Sequence, residues 1–123
     1  MIYGVGTDII EIQRVAKACE KESFLKKTFS EKELNYFQTV GFRKETLAGT
    51  FSAKESISKA LGTGFSGFSA IDIEVLHNKK GAPYIVLSGN ITSKFQDNIK
   101  INVSISHCKD YAISYAVLEV EDI

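Results

Sequence analysis

Glu55 and Lys59 stand four residues apart in the run Phe-Ser-Ala-Lys-Glu-Ser-Ile-Ser-Lys-Ala-Leu-Gly-Thr-Gly, residues 51–64. Four residues is about one helical turn, so a carboxylate and an ammonium project from one face. They continue the line Ala48, Phe51, Glu55, Lys59, which begins apolar and is expected to face protein. Two readings are open. One is an ordinary surface pair, worth about 0.3–0.5 kcal/mol. The other is a divalent cation on Glu55 and a phosphate on Lys59, which needs a second carboxylate from elsewhere in the chain.

Asp8 is the candidate, near the end of the opening segment Met-Ile-Tyr-Gly-Val-Gly-Thr-Asp-Ile-Ile-Glu-Ile, which reads as a first strand. Gly4 and Gly6 alternate on one face of it, so another backbone or a ligand can come close there. The competing role for Asp8 is to cap the helix that follows. Magnesium suits a pair of carboxylates, because it takes oxygen ligands, retains waters and is commonly held together with substrate phosphates. Asp8, Glu55 and Lys59 then describe a pyrophosphate site better than a proteolytic or redox one. His107 ends the strand Ile-Ser-Ile-Ser-His, where its ring either reaches a ligand or bonds to the turn that follows. A dyad with Cys108 is disfavoured, since successive strand residues point to opposite faces. His77, at a hairpin tip, reads as a solvated imidazole. The chain carries no Walker A loop, no Gly-x-Ser-x-Gly elbow and no zinc spacing of His or Cys.

Arg14, Lys17 and Lys21 recur at helical spacing and form a basic stripe beside an apolar one made by Val15, Ala18 and Cys19. The stripe is either a solvated face or a dock for an acidic protein. Nucleic acid is disfavoured, because formal net charge is zero and the stripe lacks interleaved aromatics. No run of eighteen apolar residues and no signal-peptide pattern is present, so a cytoplasmic, membrane-free protein is expected. Cys19 and Cys108 lack metal-ligand spacing and are expected as reduced thiols packed as small apolar groups. At 123 residues the chain is expected to form one domain, short enough that a complete active site can need a neighbouring subunit.

The elements that must position these groups are three helices followed by strands. Helices are expected over Ile12 to about Glu22, Ser30 to Phe37 and Arg43 or Lys44 to Leu61. Ser30 with Glu33 forms a capping-box pattern, and Gly62-Thr63-Gly64 ends the third helix. Ala70 to Leu76 and Tyr84 to Leu87 form a hairpin around Asn78-Lys79-Lys80-Gly81. Ile101 to Ser106 alternates apolar with polar, and Tyr111 to Val120 reads as apolar on both faces. Strands joined this closely are antiparallel, which predicts an α+β fold and argues against a doubly wound nucleotide fold.

Taken together, Gly4-Val5-Gly6-Thr7-Asp8-Ile9, Leu47-Ala48-Gly49, Phe51-Ser52-Ala53-Lys54-Glu55, Lys59-Ala60-Leu61-Gly62-Thr63-Gly64 and Ser106-His107 resemble the holo-[acyl-carrier-protein] synthases of the 4'-phosphopantetheinyl transferase superfamily. The resemblance implies that family's fold, an antiparallel sheet packed with helices. It also implies magnesium-dependent transfer of phosphopantetheine from coenzyme A to a serine of acyl carrier protein, for fatty acid biosynthesis, with release of adenosine 3',5'-bisphosphate. By motif, Asp8 and Glu55 would hold the metal, Lys59 would meet phosphate, and His107, Gly62 and Thr63 would line the coenzyme A site. Arg14, Lys17 and Lys21 would dock an acidic helix of the carrier, and the protein would be a homotrimer with active sites between subunits. One position departs: Thr50 stands before Phe51 where such proteins often carry arginine, and two outcomes stay open, that Arg43 or Lys44 takes over that charge or that coenzyme A binds more weakly. Two rival readings stay open, a non-catalytic module that only binds a carrier and a magnesium-dependent nucleotide pyrophosphohydrolase.

Overall fold

A computed structural model describes residues 1–62, 69–89, 91 and 98–121. In chain order the elements are β1 (Ile2–Glu11), α1 (Ile12–Ala18), α2 (Glu22–Thr28), α3 (Glu31–Thr39), α4 (Lys44–Leu61), a 3-10 turn (Ala70–Asp72), β2 (Ile73–His77), β3 (Pro83–Leu87), β4 (Ile99–His107) and β5 (Tyr111–Val120). The expected α+β architecture is the observed one. Strands β1, β5 and β4 form an antiparallel sheet in that order, and β2 with β3 forms a separate antiparallel hairpin.

Helix α4 lies across one face of the three-stranded sheet, and its sequence is built for a close approach. It buries Gly49, Ser52, Ala53, Ser56 and Ala60, all small. The glycines of β1 answer them: a Cβ on Gly6 would fall 1.9 Å from the Ser56 carbonyl oxygen, and one on Gly4 would fall 2.0 Å from that of Ala60. The backbone expected to come close to those glycines is therefore that of α4. The buried serines keep their hydroxyls satisfied, Ser56 and Ser58 on carbonyls of their own helix and Ser52 on Ser114 of β5 at 2.8 Å. Two apolar clusters lie along α4. One gathers Phe29, Phe37, Leu47 and Ala48 with Ile12 and Val15, and the other gathers Ile57, Leu61, Ile73 and Leu118. Phe29 and Phe37 meet edge to face at 4.9 Å, a geometry that adds to the benefit of burial.

Two expectations about elements need correction, and a third, for β5, is met in composition. The first helix ends at Ala18, not near Glu22, and a separate helix, α2, follows from Lys21. The chain bends through tight bonds from Glu20 N–H to Lys17 and from Lys21 N–H to Ala18, which turns Phe24 and Leu25 back onto the first cluster. A straight helix would have carried them past it. The hairpin's first strand begins at Ile73, because Ala70–Asp72 is a 3-10 turn capped by Ser69. Strand β5 is apolar on both faces in composition, but only Ala112, Ser114, Ala116 and Leu118 are buried, while Tyr111, Ile113 and Tyr115 are exposed. The capping box of Ser30 and Glu33 is present as expected. No helix among the described residues is long and apolar enough to cross a membrane.

Candidate active site

Asp8 arrives on β1, held in register opposite Ser114, and α4 brings Glu55 and Lys59 to the same place. Lys59 donates to Asp8 Oδ1 at 3.3 Å and to the Thr7 carbonyl at 2.9 Å. The ion pair of Lys59 is thus with Asp8. The Asp8 side chain is 11% exposed, and its second oxygen, Oδ2, is buried without a hydrogen-bond partner. The helix that follows β1 is capped at Glu11 with no side-chain bond, so Asp8 is not a cap. Glu55 is half-buried beside it. Burial first, and the charge of Asp8 second, push the Glu55 carboxyl above its ordinary value, with Lys59 opposing. Two carboxylates that repel each other, one with an orphaned buried oxygen, form a site short of positive charge.

The donor set fits magnesium. Among the described residues no three acidic, His or Cys side chains cluster tightly enough to enclose an ion. Two carboxylates leave room for the waters and phosphate oxygens that this cation keeps.

Two openings meet at this site, and another adjoins one of them. Asp8 and Glu55 line a cavity of about 400 Å³ together with Arg14, Phe24 and Phe51. Arg14 and Phe24 also line a neighbouring groove of about 470 Å³ with Lys17, Lys21 and Lys27. The basic residues therefore converge although Lys21 belongs to the start of α2 and not to α1. Lys27, which follows the stripe in sequence with Lys26 and Lys32 among the diluting charges of Glu20, Glu22 and Glu31, completes the groove because the bend between the two helices brings it beside Arg14. On the outer face of the sheet, Asp8 and Lys59 line a third cavity of about 420 Å³ with Ser104, Ser106 and Tyr115.

His107 lies apart from Asp8 in sequence and opens onto a different cavity, about 320 Å³, that it shares with Arg43, Thr50 and His77. The His107 position is within the β4–β5 ladder, opposite Ala112. Thr50 is buried, and Arg43 at the start of α4 lines this cavity together with Glu45. His77 is not a solvated imidazole: it stacks on Tyr36 at 4.2 Å and 11°, its Nδ1 is buried without a partner, and burial pushes its pKa down. The hairpin folds back against α3, which covers the strand end expected to face water. Gly62 caps α4 in the left-handed conformation, φ 85°, its N–H bonding to the Lys59 carbonyl. Thr63, Gly64 and Gly67 lie outside the described residues. Cys19 packs against the core, its thiol pushed up to about 11 by burial, whereas Cys108 is exposed and not the packed group expected.

A helix laid on an antiparallel sheet, with an acidic strand residue facing a Glu and Lys one turn apart, defines a class. The profile of the 4'-phosphopantetheinyl transferase superfamily matches residues 4–116, and the chain belongs to that superfamily. Within it, the chain is 48% identical to the holo-[acyl-carrier-protein] synthase of Clostridium tetani over 98% of each protein. Among solved structures it is similar to the holo-(acyl-carrier-protein) synthase of Bacillus anthracis in complex with CoA (3',5'-ADP), with TM-score 0.83 and 36% identity over 98% of this chain and 99% of that one. It is likewise similar to the Helicobacter pylori holo-[acyl-carrier-protein] synthase in complex with coenzyme A, TM-score 0.82 and 33% identity over 94% and 99%.

Proposed function

We propose that this protein transfers the 4'-phosphopantetheine group of coenzyme A to a serine of apo acyl carrier protein, serving fatty acid biosynthesis in the cytoplasm. The observation that carries this is the convergence of Asp8 with Glu55 and Lys59, with Asp8 Oδ2 buried and unpartnered. The relatives named above are synthases of this kind, and two of them bind coenzyme A or its nucleotide part.

In this reading Asp8 and Glu55 would hold magnesium beside the phosphates of coenzyme A. The cation, when bound, neutralises charge on the phosphates and on the departing oxygen. The serine oxygen bonds to the phosphorus that carries the pantetheine arm. The bond from that phosphorus to the bridging oxygen breaks, and adenosine 3',5'-bisphosphate leaves with the electron pair. The serine proton passes to a base at the site. Lys59, whose side chain is half-exposed, leaves Asp8 to meet the phosphate. Positioning and charge stabilisation account for most of the rate, as in phosphoryl transfer generally. The cavity of His107 and Arg43 receives another part of coenzyme A, with Gly62 and Thr63 contributing near the end of α4. The groove of Arg14, Lys17 and Lys21 captures an acidic helix of the carrier and runs, through Arg14 and Phe24, into the cavity of Asp8 and Glu55. The exposed apolar face of the sheet supports a homotrimer with active sites between subunits.

Incubating the protein with coenzyme A and apo acyl carrier protein, with and without magnesium, tests the reading by intact mass. The expected result is a carrier heavier by one phosphopantetheine group in the presence of magnesium alone. No mass increase would overturn the reading, and cleavage of coenzyme A without a modified carrier would favour a pyrophosphohydrolase.

A further inference from the structure

Lys54, next to Glu55 in sequence, points the other way, into the protein. Lys54 and Glu33 are completely buried and paired at 2.8 Å. A buried ion pair is weak grounds for stability, since desolvation offsets most of the attraction and an apolar pair of similar volume is often as good or better. What distinguishes this pair is its remaining bonds. The Lys54 ammonium also donates to the carbonyls of Ala70 at 2.8 Å and Ile73 at 2.5 Å. The Glu33 carboxylate also accepts from Ser30 N–H at 2.9 Å and from Val75 N–H at 2.8 Å.

Strand β2 pairs with β3 along one edge. The Ile73 carbonyl and the Val75 N–H are two residues apart, on the edge turned away from β3. Buried backbone groups of this kind need partners, at a cost of about 1–3 kcal/mol for each one left without. Here two side chains take the place of a neighbouring strand: Lys54 fills the acceptor and Glu33 the donor. Ser30 Oγ adds a bond to Glu74 of the same strand at 2.6 Å. A shift of β2 by one residue would break all of these together, so the pair fixes the register of the hairpin against α3 and α4.

The hairpin carries His77, Gly81 and Pro83 into the cavity whose opposite wall holds Arg43, Thr50 and His107. From this we infer that Lys54 and Glu33 are positioning residues for coenzyme A, setting the width of that cavity by locking β2 to α4. The inference rests on the proposal that this cavity takes part of coenzyme A. The carboxylate site itself is held independently, by the close packing of Gly4 and Gly6 of β1 on α4. Loosening the hairpin should therefore weaken coenzyme A capture while sparing turnover.

The test is the double variant Lys54→Met with Glu33→Leu, which removes both charges and keeps apolar bulk, so no lone buried charge is left to unfold the chain. In the folded variant, KM for coenzyme A should rise roughly tenfold while kcat stays within about twofold. Hydrogen exchange at the Val75 amide should accelerate in parallel. An unchanged KM overturns the inference, as does an equal loss in kcat with KM unmoved. Should the double variant not fold, Glu33→Asp provides the measurement: it keeps the charge opposite Lys54 but is one methylene shorter, so it cannot hold Lys54 and the Val75 N–H together; a rise in KM of about threefold is expected, and no rise overturns the inference. Calorimetric binding of coenzyme A to the unaltered protein separates the two failures. Absence of binding there removes the functional proposal, whereas normal binding with an unaffected variant removes only the role of the latch.

Discussion

Lys59 bonds Asp8 through Oδ1 and leaves Oδ2 without a partner, while Glu55 is pushed toward its neutral form by burial and by the same Asp8 charge. A carboxyl whose folded pKa is raised costs stability when ionised. That cost grows as pH rises from the ordinary value through the raised one, and is absent below both. Glu55→Gln should accordingly raise the thermal midpoint of the metal-free protein at pH 7.5 by a few degrees while lowering carrier modification on the order of 100-fold. In the unaltered enzyme the acid limb of the rate profile should move to lower pH as magnesium is raised, because cation and proton compete for the same carboxylate. A limb that ignores magnesium would argue against Glu55 as a ligand. His77 gives the opposite sign. Its folded pKa is lowered by burial, so the stability of the neutral ring is present above the ordinary value and is lost as pH falls below about 6.5. His77→Phe keeps a ring against Tyr36 and should flatten the fall in urea midpoint between pH 7.5 and pH 5; an unchanged slope would place the acid sensitivity elsewhere.

At the scale of elements, the strand carrying Asp8 is placed by what its glycines lack. A Cβ at Gly6 would lie 1.9 Å from a carbonyl of α4, backbone against backbone, so Gly6→Ala must push β1 off the helix. Overpacking of this sort costs about 1–3 kcal/mol. Urea titration should show that loss, and at a temperature where the variant is still folded its activity should fall further than stability explains, because Asp8 retreats from Glu55. Full activity in the folded variant would separate strand placement from catalysis. This packing was half legible in the sequence: alternating glycines announce a close approach but not its partner. Asp8, Glu55 and Lys59 could be read because each sits on an element with clear periodicity, β1 or α4. The break between α1 and α2 could not, since the tight bonds at Glu20 and Lys21 involve no proline or glycine. His77 was misread for a related reason, as contact with Tyr36 spans α3 and the hairpin and has no local signature. The latch of Lys54 and Glu33 escaped as well, because two charges 21 residues apart look like surface groups until the fold buries them.

For the whole molecule, the decisive feature is the uncovered face of the sheet. Alternation along β1 and β5 leaves Tyr3, Val5, Ile9, Tyr111, Ile113 and Tyr115 between 44% and 64% exposed, side by side on the face away from α4. A soluble chain rarely leaves so continuous an apolar surface to water unless something covers it. The cavity of Asp8, Lys59 and Tyr115 opens on the same face, so a copy packed there would also complete the wall of the site. On the proposal of sites between subunits, activity depends on assembly. Ile113→Lys sets a charge in the middle of the face without touching α4 or either core cluster, so the chain should still fold as judged by circular dichroism. If the protein is the proposed homotrimer, sedimentation should then show the mass falling from three copies to one, and carrier modification should fall with it at all coenzyme A concentrations. An unaltered protein that sediments as a single copy while fully active would refute sites shared between subunits and leave the exposed tyrosines and isoleucines to another partner.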